Sequence, residues 1–252
     1  MNRLLRTMNK LLNALRLRRD ALGVRKYDQF LFLGYNCELA YRFYRSNGFL
    51  DSSLFAWSLV DSVEQLVFAL RHFDKLCTGD IVYDEDVSLY RCQQTGVCFH
   101  GRESMTKWMK KEERSEGILR DLTDLRGRVG YLKEKFLRYL RNDASTLAVL
   151  KIDTAACRDG SIWEPLRTLK QTLGELGARN VDVLVICEES ARGLIFECCR
   201  DLGFALRSVR LFNPGSDACS EKHGDTAGWN RIWLEFAPAH FGVKKHRFKF
   251  EK

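Results

Sequence analysis

From residue 147 onward the chain alternates short, continuously apolar runs with longer amphipathic ones, and this alternation constrains the fold more than any other feature. "TLAVLKID" reads as a strand, 163–176 as a helix, "VDVLVICEE" as a strand, 190–201 as a helix, and "ALRSVRLFN" as a strand. Strands that lack polar alternation are covered on both faces, and strands separated by one helix pair in parallel through crossovers. "DQFLFLG" near residue 30 has the same character. The pattern predicts an α/β fold: a mostly parallel, Rossmann-like three-layer sheet with helices on both faces.

The remaining segments fill in around that sheet. The stretch after Cys37 carries Leu39, Ala40, Phe43 and Tyr44 at helical spacing and stops at Asn47-Gly48. A second helix is expected from about Ser62, with Asp61 as its N-cap and Glu64 at capping-box spacing. Residues 74–103 are turn-rich and β-leaning. Helices are expected over 104–120 and 128–141, and "GDTAGWNRIWLEFAPAH" reads as a last helix.

Charge divides the chain into three parts. Residues 1–27 hold eight Lys/Arg against Asp20, a net +7, and residues 241–252 hold five against Glu251, a net +4. The total is +8, so residues 28–240 carry −3. The expected organisation is a basic amphipathic N-terminal helix (1–27), a single α/β domain (28–240) and a basic C-terminal tail (241–252). A protein that reads DNA or RNA spreads basic groups over its folded surface, so the acidic body argues against a nucleic-acid partner. The opening segment places Leu4, Leu5, Met8, Leu11, Leu12 and Leu15 on one helical face flanked by Arg3, Arg6, Lys10 and Arg16. Such a helix docks on protein, lies through residues 1–20 on an anionic membrane surface, or serves as a transit segment. No apolar run reaches the roughly 18–20 residues needed to span a bilayer. The expected location is cytoplasmic, peripheral at the inner face of the membrane.

The nine cysteines are odd in number and irregular in spacing, and Cys187, Cys198 and Cys199 lie in apolar runs. They read as reduced thiols, most of them packed as small hydrophobes. Cys37 differs because it stands where a strand turns into a helix. Helix N-termini favour a thiolate through their unpaired N–H groups and dipole, and a nearby imidazole completes the activation of a nucleophile. His100, in "GVCFHGRES", is the candidate base, with His223 a weaker alternative. Ligands of parallel sheets bind beyond the carboxyl ends of the strands. That rule gathers Gly34, Asn36, Cys37 and Glu38, then Asp153, then Glu188 with Glu189, and then Asn213. Cys92, Cys98 and His100 lack the spacing of a zinc site, and the Gly34 region lacks a phosphate-cradling glycine pattern. No metal and no cofactor is expected. Trp57 has core packing as its ordinary explanation, and a sugar-binding face as the other.

"LGYNCELAYRF", followed by "DSSLFAWSLV", resembles a family of bacterial proteins described as papain-like cysteine peptidases (the DUF1796 family). The matching positions are Gly34, Asn36 and Cys37, then Ser53, Phe55 and Trp57, then Phe99 and His100, then the 128–141 helix and the 147–152 strand. The resemblance implies Cys37 as nucleophile and His100 as base. Ala56 stands where many relatives carry an aspartate. The parallel C-terminal half also departs from the largely antiparallel sheet of papain-like enzymes.

The expected function is a cysteine-dependent hydrolase or acyl-transfer enzyme using Cys37 and His100, with Asp153 or Asp225 orienting the imidazole. The alternative is a membrane-associated glycosyltransferase-like enzyme of surface-polysaccharide biosynthesis. There Gly34, Asn36 and Glu38 contact phosphate or sugar, Trp57 and Asn213 complete the site, and Glu188, Glu189 or Asp153 supplies the carboxylate. The substrate is accordingly a peptide or acyl compound in the first reading and a sugar conjugate in the second. A non-enzymatic binding module is the third class.

Overall fold

The computed structural model describes residues 25–48, 52–85, 89–101, 111–158, 160–210 and 225–238. Its first half runs β1 (Arg25–Tyr27), β2 (Gln29–Phe32), α1 (Glu38–Asn47), β3 (Ser58–Leu59), α2 (Val63–Arg71), β4 (Ile81–Asp84), β5 (Leu89–Cys92), β6 (Cys98–Phe99) and α3 (Lys111–Arg141). The second half runs β7 (Thr146–Lys151), α4 (Thr154–Cys157), α5 (Trp163–Glu175), β8 (Val181–Glu188), α6 (Arg192–Leu202), β9 (Ala205–Val209), α7 (Thr226–Glu235) and β10 (Phe236–Pro238). The basic opening segment before residue 25, the C-terminal tail, Asn213 and His223 lie outside the described residues.

The apolar runs form one four-stranded parallel sheet in the order β2-β7-β8-β9. Its strands are buried on both sides because alternate residues enter different cores. Phe30, Phe32, Leu147, Val149, Leu184 and Ile186 pack with α1 and α7 through Leu39, Phe43, Trp229 and Trp233. Leu31, Leu33, Ala148, Leu150, Val183 and Val185 pack in the larger core with α2, α3, α5 and α6. Trp229 and Trp233 are fully buried and stack at 6.3 Å between centroids. Burying each such ring contributes about 1.5–3 kcal/mol or more.

Several expectations are corrected. The sheet content is mixed: a second four-stranded sheet, β3-β6-β5-β4, is antiparallel throughout and lies in the chain between β2 and β7. Its Tyr90, Cys92 and Phe99 join the same core as α2, α3, α5 and α6. Over residues 111–141 the helices expected at 104–120 and 128–141 are one, α3, which runs through Gly127 and Gly130 without interruption; residues 104–110 lie outside the described residues. Residues 25–27 belong to the folded body, since β1 pairs in parallel with β10. The N-cap of α2 is Ser62, whose hydroxyl accepts from Gln65 N at 3.2 Å. Gln65 Oε1 reaches back to accept from Asp61 N, the residue before the cap, at 2.5 Å, so the helix start lies one residue later than the sequence suggests. Among the described residues no helix is long and apolar enough to cross a membrane.

One topological detail positions the site. The chain leaves β2 toward one face of the parallel sheet, where Leu39, Ala40 and Phe43 of α1 pack. It leaves the neighbouring β7 toward the opposite face, where Leu166, Leu169 and Leu173 of α5 pack. Connections that diverge between adjacent strands open a crevice at the carboxyl edge.

Candidate functional site

The crevice begins with two left-handed residues, Gly34 at φ +98° and Tyr35 at φ +76°. A Cβ on Gly34 would lie 2.8 Å from Val60 Cγ2, so both backbone angle and space require glycine. Tyrosine has no such freedom, and its conformation costs on the order of 1–3 kcal/mol. Its carbonyl accepts from Val60 N at 3.1 Å, and its hydroxyl donates to Asp153 Oδ2 at 2.5 Å. Burial first, and then the Asp153 carboxylate, push the Tyr35 phenol well above its ordinary pKa, so it remains a proton donor.

Asn36 accepts from Glu38 N through its side chain at 3.1 Å, fixing the start of α1. The Cys37 carbonyl accepts from Tyr41 N at 3.0 Å, which places the residue in the first turn. Cys37 is half-buried, whereas the other seven described cysteines are buried.

A buried charge cluster lies beside it. Glu38 and Lys151 form an ion pair at 2.6 Å with both side chains 0% exposed. The other Glu38 oxygen accepts from Arg42 Nε at 3.3 Å, and Arg42 Nη1 donates to Thr226 Oγ1 at 3.2 Å. Lys151 Nζ also stands over the Tyr35 ring, 4.9 Å from its centroid. Burial pushes the Lys151 ammonium below its ordinary pKa, while the negative charges of Glu38, Asp153 and a Cys37 thiolate favour its protonated form. For Asp153, burial works upward, but the Tyr35 hydroxyl, Ala155 N–H and Lys151 leave the carboxyl below its usual range. At the next strand end, Thr154 Oγ1 donates to Glu188 Oε2 at 2.6 Å. A narrow cavity of about 30 Å³ opens among Tyr35, Lys151, Asp153, Asp61 and Ser62. That is room for about one or two waters.

The parallel sheet therefore brings Gly34, Asn36, Cys37, Glu38, Asp153 and Glu188 to one edge. Glu38 is not a substrate contact, because it is wholly enclosed and its oxygens bond Arg42 and Lys151. His100 and Trp57 stand at the β3–β6 end of the antiparallel sheet, where His100 N donates to Trp57 O at 3.5 Å. Trp57 is half-buried against the core beneath α1. Arg128 donates to the His100 carbonyl. His100 is exposed, so water damps the downward push that the surrounding chain and then the Arg128 charge give its pKa. Among the described residues its ring makes no hydrogen bond, to Cys37 or to a carboxylate. Among the described residues Asp225 meets no imidazole: it is the N-cap of α7, accepting from Gly228 N at 2.9 Å and Arg210 N at 3.0 Å. The sequence reading did not single out Tyr35, Arg42 or Lys151. The available signal was a lysine closing the apolar run "TLAVLK". Among the described residues no three His, Cys, Asp or Glu side chains group as metal ligands.

No family model, curated protein or solved structure matches the chain.

Proposed function

We propose that the chain is a cysteine-dependent hydrolase or acyl-transfer enzyme with Cys37 as its nucleophile. The observation that supports this reading is the position of Cys37: half-exposed on the first turn of α1, at the crevice edge, in the field of the buried Lys151. Helix N–H groups and a neighbouring cation favour the thiolate. The thiolate would attack an acyl carbon, forming a C–S bond as the leaving group departs with a proton. Water or an acceptor nucleophile would then break the thioester. Tyr35 gives its one hydroxyl proton to Asp153 and so braces the crevice wall beside the nucleophile, while the unpaired N–H groups at the start of α1 are the donors a developing oxyanion would meet. The "LGYNC" resemblance to the DUF1796 peptidase-like family assigns proton acceptance to His100, whose pKa is pushed below the ordinary imidazole value. In the same reading the architecture is a Rossmann-like three-layer sheet, with α1 and α7 on one face and the remaining larger helices on the other. The basic N-terminal segment holds the enzyme peripherally at the cytoplasmic face of a membrane.

Turnover of thioester and activated-ester substrates tests the proposal. Cys37→Ser is expected to abolish it, and His100→Gln to reduce it about 100-fold or more. Full activity in Cys37→Ser overturns it.

A second reading, a glycosyltransferase-like enzyme, is favoured by the carboxylates Asp153 and Glu188 at the ends of adjacent strands. Stabilisation of the folded chain by a nucleotide sugar, unchanged in Cys37→Ser, would select it.

A further inference from the structure

We propose that Cys77 and Cys92 are a redox-active pair, which a peroxide converts to a reversible disulfide. Cys92 closes β5, and Cys77 sits in the turn that leads into β4. The two strands pair with Ile81 opposite Cys92, so the register brings that turn beside the end of β5. Cys77 N donates to Cys92 Sγ at 3.4 Å, and the two thiols also interact directly. An N–Cα bond is about 1.46 Å, so the Cys92 sulfur lies within about 5 Å of the Cys77 Cα. A disulfide needs little further approach. The Lys75 carbonyl lies 4.0 Å from the same sulfur, so the turn wraps Cys92 as well as carrying Cys77. Cys77 holds φ +57°, a left-handed conformation that a side chain adopts at a cost. A glycine makes the same turn without that cost, but brings no thiol to Cys92.

Electrostatics divides the roles. The bond from the Cys77 thiol holds Cys92 below its ordinary pKa against the upward push of burial, and the same bond pushes Cys77 up. Cys92 is therefore the nucleophile and Cys77 the resolving thiol. Lys133 donates to the Asp74 and Leu76 carbonyls at 3.1 and 3.3 Å, and Arg126 donates to Gly79 O at 3.2 Å. These two residues of α3 clasp the turn, and their charges work downward on Cys77. Both sulfurs are buried, yet Thr78 beside one and Gln93 beside the other are exposed. The pair thus lies one residue below the surface, within reach of a molecule as small as hydrogen peroxide.

The Cys92 thiolate attacks one peroxide oxygen, the O–O bond breaks, and hydroxide leaves and takes up a proton as water. The Cys77 sulfur then attacks the Cys92 sulfenic acid. An S–S bond forms, the S–O bond breaks, and the Cys77 proton leaves with the oxygen as a second water. The two thiols together lose two electrons, and the peroxide gains them. None of these steps involves Cys37.

Peptide mapping of the full chain tests this, after treatment with stoichiometric hydrogen peroxide, unfolding and alkylation. A peptide pair joined through Cys77 and Cys92 is expected, released by dithiothreitol, from chain whose circular dichroism is unchanged. Cys37→Ser is expected to form the same link, which separates this inference from the proposed role of Cys37. Recovery of Cys77 and Cys92 as alkylated thiols overturns the proposal. So does linkage of either to a different cysteine, or a link that forms only when peroxide is added in urea.

Discussion

In the parallel sheet, side chains at the strand ends bond to one another: Lys151 to Glu38, Tyr35 to Asp153, Thr154 to Glu188. In the antiparallel sheet, Arg91 and Asp84 form a half-exposed pair at 2.9 Å, His100 is tied through its backbone, and Cys92 and Cys98 are buried in packing. Both sheets have four strands, but the fully enclosed ion pair belongs to the first, whereas at the second the buried Asp121 carboxylate of α3 accepts from the Tyr90 hydroxyl at 3.0 Å. Desolvating an ion pair costs several kcal/mol per ion before their attraction is counted. The contrast sets the parallel sheet's edge, where an enclosed ion pair is held by named partners, apart from the antiparallel sheet, whose Arg91–Asp84 pair stays partly in water.

Removing one partner from each ion pair gives the largest effect. Lys151→Met removes one cation from the enclosed Glu38 carboxylate, which keeps Arg42, and is expected to cost up to about 3–5 kcal/mol in urea unfolding. Arg91→Met, at a pair 32% and 23% exposed, is expected to cost about 1 kcal/mol or less. Equal losses would break the comparison. The glycines come next. Gly34→Ala meets both φ +98° and the stiff Val60 side chain, and is expected to cost about 2–4 kcal/mol. Gly96→Ala, at φ +73°, meets only the movable end of Gln65 and is expected to cost about 1–2 kcal/mol. The α2 cap gives a smaller effect: Ser62→Ala loses about 1 kcal/mol, whereas Asp61→Asn stays within about 0.5 kcal/mol.

The smallest effects are differences in pH dependence. Both His100 and Asp153 have folded pKa values below their ordinary ones, so the unfolded chain binds more protons. Each contributes stability that is present above its unfolded pKa and lost as pH falls through the folded one. His100→Gln should flatten the stability profile as pH falls below about 6.5, and Asp153→Asn should flatten it only below about 4. Denaturant midpoints measured at several pH values separate the two windows.

Much of the parallel sheet was legible because strands covered on both faces read as unbroken apolar runs; "TLAVLK" and "VDVLVICE" correspond to β7 and β8. The antiparallel sheet was legible only as a β-leaning stretch, since β3 and β6 are two residues each and carry no periodicity. The unbroken α3 was missed because glycines at 127 and 130 weaken helix propensity by about 1 kcal/mol each, an amount that tertiary packing of Leu125, Val129 and Phe136 overrides. At the site, the strand ends could be read from topology, so Cys37 and Asp153 stood out. The Glu38–Lys151 pair could not be read, because its members are 113 residues apart and each is locally unremarkable. Asp225 was read as a candidate orienter because a lone acid in a sequence looks the same whether it caps a helix or serves an imidazole.

The proposed role of Cys37 rests on its place at the start of α1 and on the nearby charge of Lys151. Mass-spectrometric labelling of the native chain with iodoacetamide at pH 7 tests it most directly. Cys37 is expected to react well ahead of the seven buried cysteines, and Lys151→Met, if still folded by circular dichroism, is expected to slow that reaction. Labelling of Cys37 no faster than of the buried thiols, or a rate indifferent to Lys151, would contradict the claim.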